Sequence, residues 1–133
     1  MRIDVHNHFY PQAYLDEVAR LGGAVRLEED KSGRRVFTIR GVPVVHISPP
    51  QLDPELRIRD MDACGVDMQM LSLTMPHVYL WEPRAGLALS QAVNDAFAEI
   101  VSRHPDRFTA ACAVPLQDPR LAIEELERAV EKL

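Results

Sequence analysis

Two histidines near the start of the chain, His6 and His8, have the type and spacing to do chemistry. They stand in the stretch IDVHNHFYP, residues 3–11, whose alternation puts Asp4, His6 and His8 on one face of a predicted strand. Residues two apart on a strand point to the same side, about 7 Å apart along the chain, so both imidazoles can converge on one metal ion. Neutral imidazole suits divalent ions such as zinc, and Asp4 could orient one of the rings. On spacing alone, two histidines in a polar loop with no ligand remain the alternative.

The rest of the pattern predicts the elements that position this pair. The order is strand, helix, strand, helix, strand, helix, with a two-stranded excursion early, so we expect an α/β fold with parallel strands and crossover helices. In such a fold His6 and His8 lie at the carboxyl end of the first strand, where β/α barrels place their chemistry. The predicted segments are a strand over 2–8, a helix over 11–22, an excursion over 25–39, a surface crossing over 40–50, a helix over 53–65, a strand over 66–74, a helix over 83–104, a strand over 107–116 and a helix from Pro119 to Leu133.

Composition and charge exclude several classes of protein. The chain is 47% hydrophobic and 26% charged with a formal net charge of −5, which describes a globular domain and argues against a nucleic-acid partner. We expect no membrane segment, because no run approaches the roughly 18 apolar residues of a spanning helix. The start MRIDVHNH lacks the apolar core of a signal peptide, so we expect a cytoplasmic protein. Cys64 and Cys112 have no CxxC spacing, and we predict buried thiols.

Three stretches carry a resemblance that is more specific than the histidine pair. IDVHNHFYP, LRIRDMDACGVDMQMLSLT and VNDAFAEIVSRHPDRFTAACAVPLQDPRLAIEELERAV, in this order, resemble the amidohydrolase-related family of metal-dependent TIM barrels. The branch most similar to them contains the aminocarboxymuconate-semialdehyde decarboxylase-like proteins. The resemblance implies a partial TIM (β/α)8 barrel, with its first three β/α units and an inserted β-hairpin after the first strand. Residues 1–133 would be the N-terminal part of this one domain, truncated because a barrel takes about 250 residues.

The resemblance also implies a metal site and an activity. His6 and His8 would be the first two ligands of a divalent metal ion, commonly zinc. The remaining ligands and the acid/base residue are expected beyond Leu133, so no catalytic residue is assigned within the chain. The implied function is a metal-dependent decarboxylase, a carbon–carbon lyase, acting on a small unsaturated or aromatic carboxylic acid. A hydrolase or hydratase of the same superfamily is the first alternative. A non-catalytic truncated fragment that binds metal weakly or self-associates is the second.

For the complete barrel we expect homo-oligomers by analogy, and for the 133-residue chain alone we expect no turnover. His77 and Trp81, in LTMPHVYLWEP, follow the second predicted strand and would border the same mouth as His6 and His8, which makes them candidate substrate-binding residues. The alternative is an ordinary loop residue and a partly buried tryptophan anchor.

One departure from the resembling branch concerns the substrate. There the inserted hairpin carries an arginine in a Val-Phe-Arg run that holds a substrate carboxylate. Here the run is VFTI, with Thr38 in that place, and Arg35 and Arg40 are the nearby alternatives at positions that do not match.

Two further sets of polar residues have structural interpretations. Asp118, which precedes a proline, is predicted to cap the last helix rather than to bind metal. The charges Arg57, Arg59, Asp60 and Asp62 are predicted to form the solvated face of their helix.

Overall fold

The computed structural model describes residues 1–132 as an α/β fold with two sheets. None of the described helices is long and apolar enough to cross a membrane. The elements in chain order are β1 (Ile3–Asp4), α1 (Gln12–Leu21), β2 (Val25–Glu29), β3 (Arg35–Ile39), β4 (Val42–His46), a 3-10 turn (Pro49–Gln51), α2 (Pro54–Cys64), β5 (Met68–Leu71), α3 (Pro83–Arg103), β6 (Phe108–Ala110) and α4 (Pro119–Lys132).

The parallel sheet has the order β1-β5-β6, which confirms the predicted parallel α/β arrangement. Ile3 is in register with Met68, and Gln69 with Phe108. Helices α2 and α3 make the two crossovers between these strands. The first strand is much shorter than the predicted 2–8, because the Asp4 carboxylate accepts the backbone N–H of His6 at 3.0 Å. Such a local bond competes with the sheet ladder and turns the chain into a loop.

The predicted hairpin is present as β2 and β3, but a third strand extends it to a three-stranded antiparallel sheet that the prediction did not include. The strand that the prediction missed is β4, which lies in the segment predicted to cross the surface because of its prolines. β4 is an edge strand, paired only with β3, and Pro43 lies opposite Thr38, where the register shifts. Proline is tolerated at such an edge or bulge because no ladder donor is needed there.

Helix boundaries follow the predicted start and stop signals. The Asp53 side chain accepts the N–H groups of Glu55 and Leu56, and α2 ends at Gly65 with a φ of 66°. The predicted capping role of Asp118 is confirmed, because its carboxylate accepts the N–H groups of Arg120 and Leu121. In α4 the inward face carries Ala122, Glu125 and Ala129, whereas Ile123, Leu126 and Val130 are exposed. The predicted end of this helix, Leu133, lies outside the described residues.

A cluster of aromatic residues fixes the loop that carries the histidines. Phe9 and Tyr10, directly after His8, are buried, and Tyr10 packs on Phe37 of β3 with 5.3 Å between ring centroids. Phe9 packs edge-on against Phe97 of α3. Burying aromatic side chains of this size dominates the local packing energy, so the chain just after the histidines is anchored to the antiparallel sheet and to α3.

The prediction of buried thiols was wrong. Cys64 and Cys112 are both free and both exposed. Cys64 is the last residue of α2, and Cys112 lies in the loop after β6, so neither stands on an inward-facing position of a strand or helix.

Candidate metal centre

The structure brings the two predicted histidines together in the loop that follows β1. Their ring centroids are 5.2 Å apart, and the rings meet edge to face at 72°. Two imidazoles bound to one ion at the usual metal–nitrogen distance of about 2.1 Å have centroids about 5 Å apart. The spacing of His6 and His8 therefore fits two ligands of one metal ion.

His8 is the more enclosed of the two rings. Its Nδ1 lies 3.0 Å from the Ser72 hydroxyl oxygen, and the same hydroxyl donates to the Asn7 carbonyl at 2.6 Å. Burial lowers the pKa of His8, and the neighbouring His6 and Arg57 lower it further. All three effects favour the neutral imidazole, which is the form that binds metals.

Arg57 donates hydrogen bonds to this loop. The prediction that it lies on a solvated helix face was wrong. It is 8% exposed, and its guanidinium donates to the His8 carbonyl at 2.7 Å and to the Pro50 carbonyl at 2.8 Å. Burial lowers the pKa of Arg57, an effect that the nearby Asp4 opposes. The sequence did contain a signal, because Arg57 stands four residues before Met61 and so shares the helix face of that buried side chain.

Asp4 acts on the loop through the backbone. One carboxylate oxygen accepts the His6 N–H, and the other accepts the Gln69 side-chain amide at 2.9 Å. Gln69 also lies 3.4 Å from the Arg57 guanidinium, which links the two charged groups. This polar network fixes the turn at His6.

The second loop at this end of the sheet, residues 72–82, carries the candidate substrate-binding residues. His77 has a left-handed backbone with a φ of 57°, and its ring stacks on Tyr79 at 4.2 Å between centroids. Burial lowers the pKa of His77, and its Nδ1 is buried without a hydrogen-bond partner among the described residues. Trp81 is partly buried against the core. The loop begins at Ser72, whose hydroxyl lies 3.0 Å from the His8 ring, so the two loops start side by side.

The residues of the VFTI run lie in the antiparallel sheet. Thr38 is 2% exposed, and its hydroxyl has no hydrogen-bond partner within residues 1–132. Arg35 donates to Gln12 of α1 at 3.1 Å. Arg40 is exposed in the turn between β3 and β4, with a φ of 52°.

The donor set of the candidate centre is incomplete for a metal ion. Across residues 1–132, no three His, Cys, Asp or Glu side chains form a group that could hold one. His6 and His8 therefore offer two nitrogen donors, half of a four-coordinate shell. The chemistry of these donors fits a divalent ion as part of a larger ligand set.

Comparisons with known proteins agree with this fold. The family model for Amidohydrolase matches residues 3–133. The chain is 34% identical over 137 residues to the 2-amino-3-carboxymuconate-6-semialdehyde decarboxylase of Dictyostelium discoideum, covering 100% of this chain and 38% of that protein. It is 41% identical over 80 residues to the gamma-resorcylate decarboxylase of a Rhizobium species, covering 59% of this chain and 24% of that protein.

A solved structure has a similar fold. The dihydroxybenzoic acid decarboxylase of Polaromonas sp. JS666, with bound manganese and the inhibitor 2-nitroresorcinol, superposes with a TM-score of 0.69 at 29% identity, covering 98% of this chain and 35% of that one.

Fold and site together define a parallel α/β protein with a histidine pair at the carboxyl end of its first strand. The chain belongs to the Amidohydrolase family. It spans 38% of the length of the Dictyostelium relative and 24% of the length of the Rhizobium relative.

Proposed function

We propose that His6 and His8 are the first two metal ligands of a metal-dependent decarboxylase that acts on an unsaturated or aromatic carboxylic acid. The observation that carries the proposal is the 5.2 Å pair of imidazoles at the end of β1. Its support from relatives is that the Dictyostelium protein, matched over the whole of this chain, and the Rhizobium protein are both named decarboxylases.

The fold supports a finer proposal about architecture. The strand order β1-β5-β6 is sequential, and helical crossovers join the strands, as in the wall of a (β/α)8 barrel. We propose that these are the first three strands of such a barrel, with the antiparallel sheet inserted between β1 and α2. Barrels of this kind act at the carboxyl ends of their strands, which is where His6 and His8 lie.

The metal would be held by the free imidazole nitrogens of His6 and His8, completed by ligands from outside residues 1–132. A bound divalent ion supplies Lewis acidity and lowers the pKa of bound water to about 7. Around it, Arg57 and Asp4 hold the loop, and burial keeps His8 neutral. Zinc is the proposed ion because imidazole suits it, and manganese, the ion bound in the Polaromonas relative, is the alternative to test.

His77 and Trp81 are proposed to contact the substrate. The buried Nδ1 of His77 has no partner in the described part of the chain, so a ligand atom could satisfy it. The indole of Trp81, beside the same loop, would offer a flat apolar surface to an unsaturated or aromatic acid.

The proposal is tested with the product of the complete reading frame, assayed with a panel of unsaturated and aromatic acids for loss of acid and release of carbon dioxide. His6→Ala and His8→Ala should each lower turnover by at least about 100-fold, since losing even an outer partner of a ligand costs 10–100-fold. Chelation should abolish turnover, and adding back zinc or manganese separately identifies the working ion.

The matched control is His46→Ala, which removes an exposed histidine of β4 that pairs with Asp30. It should leave turnover unchanged. Conversion of the acid without carbon dioxide release would replace decarboxylation with the hydrolase or hydratase alternative. Full turnover in both His6→Ala and His8→Ala would contradict the metal site itself. The 133-residue chain, assayed in parallel, is expected to be inactive.

Homo-oligomerisation and a cytoplasmic location stay predictions. Light scattering on the purified protein during size-exclusion chromatography tests the first, and fractionation of the source cells tests the second.

A further inference from the structure

Ser72 is the first residue after β5, and it makes two hydrogen bonds to the backbone of the loop that carries His6 and His8. Its carbonyl accepts the Phe9 N–H at 3.0 Å, and its hydroxyl donates to the Asn7 carbonyl at 2.6 Å. The two bonds bracket residue 8, so the Ser72 side chain is held against the His8 ring. The hydroxyl oxygen lies 3.0 Å from Nδ1 of that ring.

The direction of the hydrogen bond between Ser72 and His8 follows from counting protons. A serine hydroxyl has one proton, and a carbonyl oxygen can only accept. The Ser72 proton must therefore lie between Oγ and the Asn7 carbonyl, because two bare oxygens would repel at 2.6 Å. The hydroxyl then offers only lone pairs to His8. Since Nδ1 and this oxygen are within hydrogen-bond distance, the proton between them belongs to Nδ1.

We propose that Ser72 is a positioning residue that fixes neutral His8 as the tautomer protonated on Nδ1, which leaves the lone pair of Nε2 free to bind a metal. A ligating histidine commonly donates its other ring N–H to a carboxylate, a backbone carbonyl or water, which sets both tautomer and ring direction. Here the acceptor is a hydroxyl directly after the neighbouring strand β5, and the Asn7 carbonyl sets its direction.

The fixed tautomer matters for the metal-free protein as well as for the metal-bound one. With the proton fixed on Nδ1, His8 needs neither a tautomer exchange nor a ring flip before it binds. This inference rests on the proposed function only in its metal step, because the tautomer is a property of the metal-free chain. The two parts are therefore measured separately.

The experiment is a two-bond ¹H–¹⁵N correlation spectrum of the product of the complete reading frame, metal-free and labelled with ¹⁵N histidine, at a mildly alkaline pH. The His8 signals are assigned by their loss in His8→Ala. The expected result is a pyrrole-type Nδ1 and a pyridine-type Nε2 in the wild type. Ser72→Ala should move the population towards the other tautomer, and Ser72→Thr, which keeps the hydroxyl, should retain the wild-type pattern.

The matched control is Ser90→Ala, which removes the hydroxyl of a buried serine that donates to the Gly86 carbonyl within α3. It should leave the His8 tautomer unchanged. A protonated Nε2 in wild-type His8, or a tautomer that Ser72→Ala does not alter, would overturn the proposal.

The second readout is a Zn²⁺ titration of the same samples. Ser72→Ala should weaken zinc binding by about 10-fold or more, with recovery in Ser72→Thr. A Ser72-dependent tautomer together with imidazoles that never respond to Zn²⁺ supports the assignment of Ser72 and overturns the proposed metal site. Unchanged zinc affinity in Ser72→Ala, with normal binding in the wild type, overturns the positioning role.

Discussion

The two loops at the carboxyl end of the parallel sheet are held in different ways. The loop after β1 is held by two side chains. The buried guanidinium of Arg57 donates to the His8 carbonyl, and the Ser72 hydroxyl contacts the His8 ring. Beyond Ser72, the loop after β5 is held by hydrogen bonds to its carbonyls. The hydroxyls of Tyr10 and Tyr14 donate to Met75 and His77, both at 2.6 Å, and the Gln117 side-chain amide donates to Val78 at 2.9 Å.

This difference separates two functional demands. A metal ligand must keep one ring direction, and the contacts of the first loop set the direction of His8. A substrate-binding residue needs a fixed backbone but a free polar atom, and the tyrosines leave the Nδ1 of His77 unpartnered among the described residues. The hydrogen bonds to the first loop thus reach an imidazole, whereas the side chains that bond residues 73–81 of the second loop do so at main-chain carbonyls.

The largest expected effect on stability comes from removing the guanidinium of Arg57, which holds the first loop. Arg57→Met should lower the free energy of unfolding by about 2–3 kcal/mol, because the partly buried carbonyls of His8 and Pro50 lose a charged donor. Urea unfolding measures the change. The matched control is Arg59→Met, an exposed arginine of the same helix, which should stay within about 0.5 kcal/mol of wild type. Equal effects of the two substitutions would show that Arg57 stabilises the fold no more than an exposed arginine does.

A smaller effect is expected from loosening the second loop. Tyr14→Phe removes the donor to the His77 carbonyl and should cost about 1 kcal/mol, the net value of a neutral hydrogen bond. The same urea titration measures it, with the more exposed Tyr79→Phe as control, expected within about 0.5 kcal/mol. A loss from Tyr14→Phe as large as that from Arg57→Met would show that the two loops are held equally firmly.

The smallest effect concerns the pH dependence of stability. Burial lowers the pKa of His77 in the folded state, so between about pH 7 and pH 5 the unfolded chain, with a histidine pKa near 6.5, binds more protons. The free energy of unfolding should therefore fall as the pH is lowered through that range. His77→Asn removes this contribution while tolerating the left-handed backbone, so its unfolding free energy should depend less steeply on pH. An unchanged slope would contradict the burial of His77.

Local signals in the sequence were enough for the helices and for the histidine pair. Asp53, Gly65 and Pro83 act within one helical turn, and their effect on helix ends does not depend on distant residues. The alternation of strand and helix patterns indicated the parallel sheet, and the family resemblance is confirmed.

The parts that escaped prediction depend on tertiary contacts. Arg57 looked like a surface charge because its acceptors, the carbonyls of His8 and Pro50, lie 49 and 7 residues away. Ser72 reaches Asn7 and His8 only through the parallel pairing of β1 and β5, 64 or 65 residues apart. β4 was missed because Pro43 is acceptable only at an edge, and edges are not visible in a linear pattern.

The most direct test of the central claim, that His6 and His8 bind one metal ion together, is anomalous diffraction from crystals of the protein soaked with Mn²⁺. The account predicts a single manganese peak at about 2.2 Å from both Nε2 of His8 and a ring nitrogen of His6. Ordered imidazoles with no peak between them, or a peak bonded to Nδ1 of His8, would contradict it.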